Sequence, residues 1–116
     1  SIASSASVGA GSVVSHGARI GPSVEIAPLS ILGTYAVVGH DSKLGTSVHI
    51  AGQTILGGGC EIGDRVLIGL GSVVLPKIHV GSDIIVGAGS VVSRSLEEPG
   101  VYIGSPARLV KKWPDL

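Results

Sequence analysis

The sequence predicts an all-β chain of short parallel strands stacked in coils, and three observations carry that reading. Stepping by six from Ile2 to Val92 meets sixteen positions, and each holds Ile, Leu or Val. The position after each of these is mostly Gly or Ala, and the position two before is often small or β-branched, as at Ser12, Ala36, Val48, Thr54, Val66 and Ser72. Apolar residues reach 44% while aromatics are 3%, with 19 Gly and no Phe, so the interior is narrow and built from Val, Ile, Leu and Ala.

A period of six matches neither an α-helix nor a simple amphipathic strand, but six is three times the strand period of two. A short strand can therefore point two alternate residues inward and turn a corner before the next strand repeats the pattern. Each hexad becomes one side of a prism. Periodicity alone gives only the stacked parallel strands. The pattern resembles the hexapeptide repeat of left-handed parallel β-helices, and that resemblance implies a left-handed triangular coil of eighteen residues. About five such coils follow, each roughly 4.8 Å above the last. The register holds from Ile2 to Val92 without an inserted loop, which puts function on the outer surface of the prism.

The repeat is assigned to residues 1–94 and a tail to residues 95–116. Glu97, Glu98, Pro99 and Gly100 read as a turn. Ser105 and Pro106 then read as N-cap and first residue of a short capping helix through Lys112, with Trp113 beyond it as an anchor for the tail or a subunit contact. Such a cap covers the last coil, whose open edge otherwise invites strand pairing. Nothing comparable precedes the first coil. The chain lacks Met even at position 1, and Ser1 is read as the start of a piece of something longer.

A formal net charge of zero argues against nucleic acid or anionic membranes as partners. One cysteine makes no internal disulfide. No apolar run approaches the ~20 residues of a membrane helix, and Ser1 onward has neither region of a signal peptide. The expectation is a cytoplasmic protein with no membrane partner.

With eighteen residues per coil the outer surface reads as columns. One runs Ser4, Pro22, His40, Gly58, Pro76, Arg94, and beside it runs Ser5, Ser23, Asp41, Gly59, Lys77, Ser95. An imidazole beside a carboxylate, with two glycines one coil above and cations higher up, is a candidate catalytic corner. The alternative is that corners favour Gly, Pro, Asp and Ser for turn geometry alone. His16 and His79 read as surface residues, and Cys60 as a small core residue.

The stretch from Val38-Gly-His-Asp to Val48-His-Ile-Ala-Gly, followed by Ile62-Gly-Asp, Val74-Leu-Pro and Gly104-Ser-Pro-Ala-Arg, resembles the sialic acid O-acetyltransferase-like branch of the hexapeptide acyltransferases. That branch includes nucleotide 4-amino-sugar N-acetyltransferases. The resemblance implies an acetyl-CoA-dependent N-acetyltransferase acting by direct transfer, with no metal, assembled as a homotrimer with active sites between subunits, and with a small-molecule sugar acceptor. It implies His40 as general base, Asp41 as its orienting partner, and Gly58 as the N–H donor to the thioester oxygen with room above His40 for the thioester. His49 is implied as a second polar group near the thioester. Pantetheine is implied to run past Leu70, Gly71, Ala88 and Gly89, with Arg108 and Lys111 among the cations for CoA phosphates, beside Lys77 and Arg94. The chain departs from the family pattern at Gly39 and Gly33, where relatives often carry Glu and Asn. It also shows nothing like the N-terminal α/β domain that holds the nucleotide in relatives.

Three other functions fit the same prism: sugar O-acetylation, a noncatalytic scaffold, and a γ-class carbonic anhydrase-like metalloenzyme. The last needs three zinc-binding histidines from adjacent subunits, and the closely spaced histidine pair typical of that family is missing.

Overall fold

The computed structural model describes residues 1–113. It is a parallel β-solenoid with three faces. The first face stacks Ser7–Val8, Glu25–Ile26, Lys43–Leu44, Glu61–Ile62 and His79–Val80. The second stacks Val13–Val14, Ile31–Leu32, His49–Ile50, Leu67–Ile68 and Ile84–Val86, and the third Arg19–Ile20, Val37–Val38, Ile55–Leu56, Val73–Val74 and Val91–Val92. Neighbouring strands in each stack are parallel and in register, as in Val37↔Ile55 and Val38↔Leu56. About five coils result. No helix among the described residues is long and apolar enough to cross a membrane.

Each hexad turns two side chains inward. The aliphatic series is buried from Ile20 to Val92, and the residue two before each is buried too, from Ala18 through Val24, Ser30, Ala36 and Ser42 to Ser90. Small residues at this second position let three walls meet without a void, which explains the scarcity of aromatics. Where that residue is Ser or Thr, its hydroxyl ties two coils together. Ser42 Oγ donates to the Gly57 carbonyl at 3.2 Å and accepts the Cys60 N–H at 3.1 Å. Ser72 does the same with Gly87 and Ser90, at 3.1 and 3.3 Å. No buried side-chain N or O among the described residues lacks a partner.

The faces differ on the outside. The first presents Ser7, Glu25, Lys43, Glu61 and His79, all exposed. The second and third present mostly aliphatic residues, including the exposed Val13, Ile31 and Ile55.

The tail corrects the expected helix. Gly100–Gly104 pairs parallel to Ile84–Val86, and Ala107–Lys112 folds back antiparallel on it, with Ser105 and a cis Pro106 as the turn. Serine before proline is a helix start by local preference, but here the two residues close a hairpin that extends the second face. The side chains keep a strand's alternation: Tyr102 buried, Ile103 exposed, Ala107 buried, Arg108 exposed. An extended strand pairs with the open edge of Ile84–Val86, which a helix cannot do. The tail therefore closes the top of the core as sheet, with Leu96, Tyr102 and Ala107 joined to it. Trp113 follows this hairpin, its N–H bonded to the Pro99 carbonyl at 3.2 Å and the Lys111 ammonium 5.7 Å from its ring centre.

Ser72→Ala is expected to lower stability by about 1–3 kcal/mol in urea unfolding, because it strands a part-buried carbonyl and a buried N–H at once.

Candidate active site

His40 and Asp41 occupy the corner between the third and first faces, between strands Val37–Val38 and Lys43–Leu44. Stacking fixes their height. The Asp41 N–H donates to the Pro22 carbonyl below at 3.0 Å, and the His40 carbonyl accepts the Gly59 N–H from above at 2.8 Å. Asp41 has φ of 60°, the left-handed conformation that the second corner position demands and that Asp tolerates better than most residues.

That backbone turn brings the Asp41 carboxylate beside the ring, with His40 Nδ1 2.9 Å from Asp41 Oδ2. Both side chains are about two-thirds exposed. An ionised carboxylate only accepts, so in neutral His40 the Nδ1 carries the proton and Nε2 keeps its lone pair. The corner holds a base with a set tautomer.

Gly58 makes room for the imidazole itself. A Cβ on Gly58 would run into His40 Nε2 and stand 2.6 Å from Cε1, so the ring lies over the glycine backbone. This differs from the expectation that the vacant volume serves the thioester. The Gly58 N–H donates no hydrogen bond among the described residues, and a free donor thus sits beside Nε2. One coil lower, Gly39 is needed for another reason: a Cβ there would meet the Gly58 nitrogen at 2.6 Å and the Gly57 carbonyl carbon at 2.7 Å.

The other expected site residues lie elsewhere on the same chain. His49 points outward from the second face, in register with Ile31 below and Leu67 above. Leu70, Gly71, Ala88 and Gly89 stack at the corner between the second and third faces, joined by the Gly89 N–H to Leu70 carbonyl bond of 2.8 Å. Strand Val73–Val74 spans the full width of the third face between that corner and the His40 column. A single chain therefore does not bring these groups to His40. Lys111 lies on the last strand next to Trp113.

Arg108 is better placed. It lines a cavity of about 190 Å³ with Arg94, Ser95, Leu96, Glu97, Tyr102, Ala107 and Leu109. Arg94 stands three coils above His40 in the same column, about 14 Å at the usual strand spacing. The convergence of the two arginines depends on the hairpin, so a reading of the tail as helix could not find it.

The remaining reactive groups have structural partners. Cys60 is fully buried, its Sγ 3.2 Å from the Leu75 carbonyl, and burial pushes its thiol pKa up. His79 Nδ1 lies 3.1 Å from Glu97 Oε1, and the His16 ring meets Tyr35 edge-on at 5.5 Å. No group of three His, Cys, Asp or Glu among the described residues is arranged to hold a metal ion.

No family model matches the chain. Among solved structures it superposes on PerB from Caulobacter crescentus, in complex with CoA and GDP-perosamine, with a TM-score of 0.92 and 38% identity. The match covers 94% of this chain and 53% of PerB. The fold is that of the hexapeptide-repeat N-acetyltransferases. The acetyltransferase domain of PglB from Neisseria gonorrhoeae FA1090 gives a TM-score of 0.93 at 32% identity, over 94% of this chain and 53% of that one. A curated relative, the 2,3,4,5-tetrahydropyridine-2,6-dicarboxylate N-acetyltransferase of Clostridium botulinum, is 43% identical over 56 residues, which is 48% of this chain and 24% of that protein. The chain thus spans about half the length of the solved relatives and a quarter of the curated one.

Gly58→Ala is expected to swing the His40 ring out of the corner while leaving the coils intact. Histidine-selective NMR should show the His40 ring signals moving and those of His16, His49 and His79 staying in place.

Proposed function

We propose that this chain is the β-helical part of an acetyl-CoA-dependent acetyltransferase that N-acetylates a nucleotide-linked amino sugar, with His40 as general base. The observation that carries the reading is the His40–Asp41 pair with Nε2 beside the free Gly58 N–H, on a prism shared at 38% identity with an enzyme solved with CoA and GDP-perosamine. PglB's acetyltransferase domain, solved with acetyl coenzyme A, supports the same donor. The prism winds left-handed in this reading, and the protein acts in the cytoplasm.

The chemistry follows from the corner. The acceptor amine attacks the thioester carbonyl, and its proton passes to His40 Nε2, the ring nitrogen left with a lone pair by the Asp41 contact. Asp41 stabilises the imidazolium through Nδ1–H. The Gly58 N–H donates to the oxygen that becomes negative in the tetrahedral intermediate. Collapse breaks the C–S bond, expels the CoA thiolate and leaves the amide. The imidazolium then returns its proton to the thiolate.

The donor runs up the column from His40. Its phosphates meet the Arg94 and Arg108 cavity, with Lys111 further out on the same hairpin. His49, Leu70, Gly71, Ala88 and Gly89 join the cleft from a neighbouring copy. The contrast between one charged face and two aliphatic faces supports a homotrimer in which the second and third faces are covered. Amide formation is favoured over ester formation because PerB was solved with an amino-sugar nucleotide.

His40→Ala is expected to lower kcat about 10²–10⁴-fold while acetyl-CoA affinity, measured by calorimetry, stays close to wild type. Asp41→Asn should cost less, since it keeps the corner backbone and disturbs only the ring. Near-normal turnover by His40→Ala would refute the assignment. Light scattering should report three chains per particle at micromolar concentration, and a stable monomer there removes the shared cleft.

A further inference from the structure

The cavity lined by Arg94 and Arg108 has one carboxylate in its wall, that of Glu97. A carboxylate within reach of a guanidinium is expected to pair with it, as Asp83 does with Arg65 through bonds of 2.7 and 3.1 Å. Glu97 does not. Its Oε1 lies 3.1 Å from His79 Nδ1 on the first face, and among the described residues neither Arg94 nor Arg108 pairs with a carboxylate. Glu98, the next residue, is taken by Lys112 at 3.6 Å. The two acids of this turn are both held by groups outside the cavity.

His79 grips this segment at three points. Its N–H donates to Ser95 Oγ at 3.0 Å, its carbonyl accepts the Leu96 N–H at 2.9 Å, and its ring meets Glu97. An ionised carboxylate only accepts, so Nδ1 carries the proton in that contact whether the ring is neutral or charged. The two backbone bonds of His79 hold Ser95 and Leu96, and with them the wall of the cavity, without using the ring. The ring alone decides where the Glu97 carboxylate goes.

We infer that His79 is a positioning residue for the donor: its ring draws the Glu97 carboxylate out of the arginine cavity and leaves both guanidinium groups free for a phosphate of CoA. The inference rests on the reading that the donor phosphates meet this cavity, and deepens it. A planar guanidinium grips a phosphate through two parallel hydrogen bonds, and a carboxylate competes for the same donors. Without the His79 ring, Glu97 turns inward onto Arg94 or Arg108, and an incoming phosphate must displace it. An exposed ion pair is worth little, so the result is a moderate weakening of CoA and not its loss. His79 acts through Glu97 and touches neither the donor nor the reacting atoms.

The test is calorimetry with CoA at low salt. His79→Ala, and His79→Leu, which keeps the bulk, should each raise Kd about 2- to 5-fold, the worth of an exposed ion pair. His79→Gln keeps a side-chain N–H for Glu97 and should match wild type. Adding Glu97→Gln to His79→Ala should restore wild-type affinity, which it could not do if the histidine served packing alone. Arg108→Ala, the control for the cavity, should weaken CoA about 10-fold or more by removing a charge-assisted contact. An unchanged Kd in both His79→Ala and His79→Leu, or a loss that Glu97→Gln does not reverse, overturns the inference, and a weakened Arg108→Ala then leaves the donor path standing. Equal Kd in wild type and Arg108→Ala overturns the phosphate placement and the inference with it, and leaves the role of His40 untouched.

Discussion

Each coil is held by backbone hydrogen bonds to the coil eighteen residues away, and the rest of the molecule depends on that stacking. The bonds run along the prism axis, so residues that share a height in the hexad share a column on the surface. The Pro22 carbonyl anchors Asp41, and the His40 carbonyl in turn anchors Gly59. A one-residue insertion between His40 and Gly58 would break their eighteen-residue spacing and move the base off its glycine. The site therefore inherits its geometry from the frame and needs no loop of its own.

The same frame imposes a demand on the interior. Three walls meeting at a narrow axis leave little volume at the second inward position, and Ala, Val, Ser, Thr or Cys must fill it. Hydroxyls are tolerated there because the next coil offers a carbonyl and an N–H at fixed offsets, both of which Ser30, Ser42 and Ser72 use, Ser30 with Gly45 and Val48. A buried polar group with both partners present reinforces the stacking. With one partner missing it would weaken it.

Much of this was legible in the sequence, because stacking converts spacing directly into contact. The hexad gave the inward pairs and the buried Cys60, and column arithmetic put Gly58 over His40. What escaped has identifiable causes. The Ser105-Pro106 signal is a local preference, and the unpaired edge of Ile84–Val86 outweighed it. Leu96 bridges to Val80 in a corner two residues shorter than those below, so the period ends where the tail begins and cannot say how Arg94 and Arg108 meet. The Gly58 vacancy was readable as space, but the imidazole fills it because of how the His40 side chain is turned, which spacing does not fix.

The coil repeat also makes distance discrete. The dyad at His40 and Arg94 at the edge of the two-arginine cavity are separated by three coils, since both belong to one column of the frame. Lengthening or shortening the prism by eighteen residues would change that gap in a single step of about 4.8 Å, with no intermediate value available. The number of repeats is in this sense a ruler, and the span a bound molecule must bridge is written in the chain as a count.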